Sequence, residues 1–155
     1  MMAELKVASA AFVMNAAVPA PNLYDGPNRS PPLSWSDVPD GTKSLAVICD
    51  DPDAPRGTWV HWVLFNLPPG TTQLPEGIPK DRKLPSGAIQ GVNDFRQPGY
   101  DGPAPPPGKP HRYVFKVYAL DAMLPLGPGA IKADVEKAMK GRILAQGQLV
   151  GMYKR

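Results

Sequence analysis

The chain has 155 residues, 43% of them hydrophobic and 20% charged, a length and composition that predict one folded domain, 1–155, with a buried core. Its 21 prolines disfavour a helical bundle, because proline is excluded from helix interiors and from central strand positions. The formal net charge of +3 is not concentrated in a basic stripe, which argues against a nucleic-acid-binding protein.

Five strand-like runs follow one another along the chain, at 6–12, 44–49, 59–66, 113–120 and 148–153, and turn-rich segments separate them. We interpret the first run as a strand rather than a signal peptide, because Glu4 stands where a signal peptide carries positive charge. The pattern of 131–141, with Val135 and Met139 on one side and Gly141 at its end, predicts a short helix. The sequence therefore predicts a mostly antiparallel β domain with a helical element near the C-terminus.

The single cysteine and the length of the apolar runs give two indications of where the protein is located. Cys49 lies inside an apolar run, which predicts a buried thiol and favours a reducing, cytoplasmic location. No run approaches the length of a membrane span.

Three carboxylates fall within four positions of "DDPDAP", at Asp50, Asp51 and Asp53. A turn that ends the preceding strand explains the composition of this segment, since Asp before proline favours extended or turn geometry. The three charges repel one another, however, so we expect a cation or several hydrogen-bond donors to compensate at least one of them.

The two histidines, His61 and His111, each open a strand-like run beside a loop rich in glycine or proline. Packing alone explains this arrangement poorly, and His61 is a candidate partner for the carboxylates. Strict alternation places His61 on an apolar, buried face, and it gives His111 the face of Tyr113. The other residues that alternation assigns to the face of His61 are Trp59, Val63, Phe65 and Leu67.

The segments "DDPDAP…WVHW" and "GYDGPAPPPGKPHRYVFKVYALD" together resemble the two signatures of the phosphatidylethanolamine-binding protein (PEBP) family, in particular its bacterial, Raf-kinase-inhibitor-like branch. "NRSPPLSWSDVP" and "ILAQGQLVGMYKR" are similar to that branch as well, so the resemblance covers nearly the whole chain. It implies a PEBP-like β-sandwich around a large antiparallel sheet, with a small anion-binding pocket at one end.

The resemblance also implies a set of site residues, carried over by matching position. The pocket would use Asp51, His61 and His111, with Asp53 in support. Pro55 would shape the first loop, Gly102 and Pro103 the facing loop, and Tyr113 would share the face of His111. Candidates for the rim are Trp59, Arg96 and Tyr100.

The sequence departs from the family pattern in three places. Pro110 directly precedes His111, and Trp59-Val60 replaces an aromatic pair common in relatives. Arg96 stands where bacterial relatives usually have glycine. We interpret Arg96 as a solvated loop charge, and a guanidinium that strengthens anion binding is the alternative.

These residues predict a non-enzymatic protein that binds a small anion or a phospholipid headgroup, with no cofactor and no metal. Histidine N–H groups and backbone N–H groups beside glycine would donate to a phosphate, and an aspartate at the rim could accept from an ammonium group. Three alternatives stay open: an iron or zinc enzyme built on the histidines and aspartates, a histidine-pair enzyme acting on phosphorylated substrates, and an inhibitor of a kinase or protease partner. A homodimer is implied only by the bacterial relatives.

Overall fold

The computed structural model describes residues 3–155, and the first two residues of the predicted domain lie outside the described residues. Within that range, nine strands and one α-helix follow one another. The strands are β1 (Ala3–Glu4), β2 (Lys6–Ala8), β3 (Leu33–Ser36), β4 (Ser44–Asp51), β5 (Trp59–Leu67), β6 (Gln73–Leu74), β7 (Ile89–Gln90), β8 (His111–Leu120) and β9 (Ile143–Tyr153); helix α1 (Lys132–Met139) precedes β9.

The strands form two sheets. The large sheet has the order β1-β9-β8-β4-β5-β7, and the small sheet has the order β2-β3-β6. The predicted mostly-β fold with a large central sheet and a short C-terminal helix is confirmed. The large sheet is mixed rather than wholly antiparallel, because β1 pairs with β9 in parallel while its other pairs are antiparallel.

The strand bounds differ from the predicted runs where the pattern is weak. The first predicted run, 6–12, ends as a strand at Ala8, whereas the last begins at Ile143 rather than 148. The strands β1, β3, β6 and β7 lie outside the predicted runs, since each has only two to four residues. Runs that short carry too little alternation to be recognised.

The large sheet separates two hydrophobic clusters. The cluster between the two sheets includes Trp35, Trp62 and Phe115, and the cluster under α1 includes Phe65 and Val135. All eight residues of β4 are buried, which explains why its sequence is a nearly continuous apolar run.

A β-bulge in β5 decides which way His61 points. Cys49 pairs with Trp62 and Asp50 pairs with Val60, so His61 is an extra residue between the two pairs. The extra residue shifts the alternation by one, and His61 lines a pocket on the same side of the sheet as Trp62. The prediction that Val63 and Phe65 share the face of His61 is therefore wrong, because both residues lie in the cluster under α1.

Candidate anion-binding site

A cavity of about 190 Å³ opens at the end of the large sheet where β4 ends and β5 and β8 begin. The antiparallel pairing of β4 with both neighbours brings these three ends together. The cavity is smaller than the ~300–1,000 Å³ typical of sites for drug-sized ligands, which suits a headgroup or a small anion. Its lining consists of Asp51, Ala54, Pro55, Trp59, His61, Phe95, Ala104, Pro105, Pro106, His111 and Tyr113.

A buried carboxylate holds the ring of His111. His111 Nδ1 lies 2.7 Å from Asp51 Oδ2, and both side chains are at least nine-tenths buried. The other oxygen, Asp51 Oδ1, accepts the backbone N–H of Asp53 at 2.8 Å. Because a carboxylate accepts and Nδ1–H donates, Nε2 is the ring nitrogen of His111 that remains for a ligand.

His61 is held by a backbone carbonyl instead. Its Nδ1 lies 2.6 Å from the carbonyl oxygen of Asp101, and its ring packs edge-on against Phe95 and Tyr113 at centroid distances of 5.5 and 5.2 Å. Burial lowers the pKa of His61, and the hydrogen bond to Asp101 opposes this effect only in part. The two histidines thus present different chemistry to one cavity.

A network around Asp101 fixes that carbonyl. The Asp101 carboxylate accepts from Asn28 Nδ2 at 2.8 Å, Lys80 Nζ at 2.5 Å and Asn93 Nδ2 at 2.8 Å. The Asp101 carboxylate does not line the cavity, so these residues position His61 rather than contact a ligand. Sequence reasoning missed them because they are loop residues drawn from three distant segments, and no local spacing connects them.

Asp50, Asp51 and Asp53 each have a side-chain partner that can donate a hydrogen bond. Asp50 points to the opposite side of the sheet, where Lys116 and Lys132 lie at 3.0 and 2.8 Å. Asp53 binds both Nε and Nη2 of Arg112, at 2.9 and 2.8 Å. The candidate partner for these carboxylates, His61, makes its hydrogen bond to a backbone carbonyl instead, and the structure places His111 beside Asp51.

Asp53 supports the pocket from outside its lining. It also accepts the backbone N–H of Arg112 at 2.9 Å, which ties the first loop to the start of β8. The hydrogen bond from the Arg112 guanidinium lowers the pKa of Asp53 to about 2, although desolvation acts in the opposite direction. Asp53 does not line the cavity, whereas Asp51 does, with each of its two oxygens accepting one hydrogen bond from the protein.

The facing loop contributes different residues from those carried over. Gly102 and Pro103 do not line the cavity, whereas Ala104, Pro105 and Pro106 do. A Cβ on Gly102 would lie 2.1 Å from the carbonyl oxygen of Asn22, and the Gly102 N–H donates to Asn28 Oδ1 at 2.7 Å. Gly102 therefore allows a close approach of two backbones, and its N–H is not open to an anion.

The three rim candidates occupy three different environments. Trp59 lines the cavity and is 40% exposed. Tyr100 lies in the core rather than at the rim, with its hydroxyl donating to the carbonyl oxygen of Asn22 at 2.8 Å. Arg96 is exposed in a turn with φ of 62°, a conformation that favours glycine. Its side chain makes no hydrogen bond or ion pair within residues 3–155.

Two aromatic residues complete the wall. Phe95, which sequence reasoning did not select, contacts Trp59 edge-on at 5.5 Å and stacks on Tyr24 at 4.9 Å. The buried hydroxyl of Tyr113 has no hydrogen-bond partner among the described residues. Burial, and then the nearby charge of Asp51, raises the pKa of Tyr113, so the hydroxyl keeps its proton. Tyr113 is therefore a neutral phenol close to the Asp51 carboxylate.

Residues 3–155 contain neither a metal-ligand cluster nor a helix suited to cross a membrane. No group of three or more His, Cys, Asp or Glu side chains in that range could hold a metal ion. Over the same range, no helix has the length and apolar character that a membrane crossing needs.

Comparison with known proteins gives one consistent result. The family described as phosphatidylethanolamine-binding protein matches residues 8–154. A UPF0098 protein of Methanothermobacter thermautotrophicus is 52% identical over 94% of this chain and 95% of its own length, and the UPF0098 protein YbhB of Escherichia coli is 47% identical over 84% of both chains. The crystal structure of Escherichia coli YbcL, described as a new member of the mammalian PEBP family, superposes with a TM-score of 0.91 at 38% identity over 99% of both chains.

Proposed function

This chain belongs to the phosphatidylethanolamine-binding protein family, and we propose that its pocket binds a small phosphate-type anion without catalysing a reaction. The Asp51–His111 pair carries this proposal. The buried carboxylate fixes the ring through Nδ1 at 2.7 Å, so a protonated His111 would aim its Nε2–H at a ligand in the cavity. In that protonated form both ring nitrogens donate, so His111 offers an anion a donor and no competing acceptor.

The remaining lining supports binding rather than turnover. The Tyr113 hydroxyl supplies a second donor without a partner in the described protein. The rest is mostly apolar, with Pro55, Pro105 and Pro106 among its members, and such walls strengthen the few polar contacts that the site makes. No serine, threonine or cysteine lines the cavity, so an aliphatic hydroxyl or a thiol is not available there as a nucleophile.

The part of the ligand beyond its phosphate would meet aromatic side chains. Trp59 and Phe95 form one wall, with Trp59 40% exposed. An ammonium group such as that of ethanolamine would gain about 0.5–2 kcal/mol over such a ring. This contact is an alternative to the predicted one with a rim aspartate, because the oxygens of Asp51 and Asp53 each accept at least one hydrogen bond from the protein.

Calorimetric titration with phosphorylethanolamine, in EDTA and without competing phosphate, tests the proposal. We expect the parent protein to bind and His111→Ala to lose binding. Gln148→Ala is the control, because Gln148 is exposed on β9 outside this cavity. Equal binding by the parent and His111→Ala, or product formation during the titration, would refute the proposal.

A second candidate function is inhibition of a kinase or protease through protein contact. The row Tyr24–Phe95–Trp59 supports it, because two of its rings are 43% and 40% exposed beside the anion site and exposed aromatic residues are enriched in interfaces. A phosphorylated peptide that binds the parent protein but not Trp59→Ala, while free phosphate binds both equally, would favour this function. A cytoplasmic location and a homodimer stay predictions.

A further inference from the structure

We propose that His61 makes the pocket selective for oxyanions that carry a proton: inorganic phosphate and phosphomonoesters, over sulfate and phosphodiesters. The inference rests on the proposed function, since it concerns the anion that occupies the same cavity. It goes further by naming the ligand atom that His61 recognises, which is the hydrogen of a P–O–H group. His61, His111 and the Asp101 carbonyl carry it.

The tautomer of His61 follows from its partner. A backbone carbonyl can only accept, so the 2.6 Å contact between Nδ1 and the Asp101 oxygen requires the proton on Nδ1. In the neutral ring, Nε2 then carries a lone pair. No hydrogen bond within residues 3–155 reaches His61 Nε2, and the nearby Tyr113 hydroxyl has no partner either.

The surroundings of His61 favour its neutral form. Its ring is 3% exposed and lies against Phe95 and Tyr113, and burial is the largest influence on its pKa, which it lowers. The charged groups that act in the opposite sense are the carboxylates of Asp51, Asp101 and Asp50. Each of these carboxylates already accepts from a nearby donor, respectively His111, Lys80 and Lys116. None of them therefore makes a direct pair with His61.

His61 therefore offers the cavity an acceptor, whereas a protonated His111 would offer it a donor. His111 and Tyr113 suit the unprotonated oxygens of an anion, whereas Nε2 of His61 needs a hydrogen from the ligand. Phosphate and its monoesters keep a P–O–H group near pH 6, because their second ionisation occurs at about that pH or above. Sulfate and phosphodiesters have no such hydrogen, so their oxygens would face the lone pair of a buried acceptor.

The penalty for that mismatch should be large enough to measure. An anion that leaves the buried Nε2 of His61 without a hydrogen bond should bind about five- to hundredfold more weakly. In the comparison of phosphate with sulfate, charge favours sulfate, because sulfate is a dianion at pH 6 and inorganic phosphate is mainly a monoanion. A preference for phosphate over sulfate would therefore not come from charge alone.

Four ligands, titrated calorimetrically near pH 6 in EDTA, test the inference: inorganic phosphate, sulfate, methyl phosphate and dimethyl phosphate. We expect phosphate to bind at least about tenfold more tightly than sulfate, and methyl phosphate at least about tenfold more tightly than dimethyl phosphate. His61→Gln should reduce both ratios severalfold, because the glutamine amide can turn a donor toward the anion.

The outcomes separate this inference from the proposed function. Equal binding of all four anions would overturn the selectivity and leave the anion site intact, whereas no binding of any anion would overturn both. Binding of phosphorylethanolamine with no discrimination between phosphate and sulfate would also overturn it, because the ammonium group would then be the donor to His61.

A spectroscopic measurement checks the tautomer without any ligand. The chain has two histidines, so a ¹⁵N spectrum of the imidazoles contains only two patterns, and His61→Gln assigns them. We expect His61 at pH 7 to show a protonated Nδ1 and an unprotonated Nε2. A proton on Nε2 of His61 would overturn the inference even if the affinities agreed with it.

Discussion

Replacing Asp101 by asparagine should destabilise the protein and weaken the pocket without touching its lining. The carboxylate is 4% exposed and accepts three hydrogen bonds: Oδ1 from Asn28 and Lys80, Oδ2 from Asn93. An amide has one oxygen, so in either orientation its NH₂ faces another donor. In the less costly orientation, the oxygen stays toward Asn28 and Lys80 and the NH₂ meets the amide of Asn93.

The cost has two parts. Losing one buried, charge-assisted hydrogen bond costs about 1.5–3 kcal/mol. Weakening the ion pair with Lys80 adds only about 0.2–1 kcal/mol, because the Lys80 side chain is 40% exposed and solvent screens the pair. We therefore expect the free energy of unfolding to fall by about 2–4 kcal/mol, which is about 5–15 °C in Tm for a domain of this size. A domain with about 5–15 kcal/mol of stability stays folded after this loss.

Urea denaturation measures the stability, and Asp40→Asn is the matched control. Asp40 is exposed and makes no side-chain hydrogen bond or ion pair within residues 3–155, so its replacement should change stability by less than about 0.5 kcal/mol. The substitution should also affect the pocket, because the Asp101 carbonyl that binds His61 loses its fixed position. Phosphate should bind more weakly to Asp101→Asn, and a second ¹⁵N pattern for His61 should appear. An Asp101→Asn protein as stable as Asp40→Asn, with unchanged phosphate affinity, would refute the role given to this network.

Three further predictions follow from the loops around the site. Gly102→Ala should lower stability in urea denaturation by about 1–3 kcal/mol, because the added Cβ would lie 2.1 Å from the Asn22 carbonyl oxygen. Gly127→Ala is the control and should be near neutral, because no atom lies within 4 Å of its added Cβ. Equal effects of the two substitutions would contradict the close approach at Gly102. Arg96→Gly should raise stability by about 0.5–1 kcal/mol by relieving the left-handed backbone at φ of 62° and should leave phosphate affinity unchanged, whereas weaker phosphate binding would mean that the guanidinium reaches the anion. Asp53→Asn should lower stability above pH ~4, because Arg112 lowers the pKa of Asp53 from 3.8 to about 2 and the ionised carboxylate stabilises the fold there. The parent protein should lose the same stabilisation as pH falls toward 2, so the thermal melts of the two proteins should converge between pH 6 and 2. A difference in Tm that stays constant over this range would contradict the Asp53–Arg112 pairing.

The long strands could be predicted from the sequence because each carries enough residues to show its pattern. In β8, ten residues alternate between core and the opposite face, and His111, Tyr113 and Phe115 point to the same side as expected. The strand β3 could not be predicted in the same way. It has four residues, two of them serine, and its sequence is as typical of a turn as of a strand.

The part of the pocket that lies on the strands was also within reach of the sequence, and the part on the loops was not. Asp51, His61 and His111 sit at strand ends that the antiparallel pairing joins. Gly102 was assigned to an anion contact because glycine allows close approach of a backbone. The structure shows that the approaching group is the Asn22 backbone, and a sequence does not tell which partner a glycine admits.

The bulge at His61 shows why alternation alone misjudges such a site. A strand with strict period two would put His61 opposite Trp62, so one of the two would face α1. The extra residue lets both face the cavity side: Trp62 enters the core, where its indole N–H donates to Gln90 at 2.9 Å, and His61 reaches the Asp101 carbonyl. Bulges occur where a side chain must be re-aimed, and no residue in "WVHW" signals one. The bulge, which the sequence does not reveal, therefore orients the histidine on which the proposed selectivity depends.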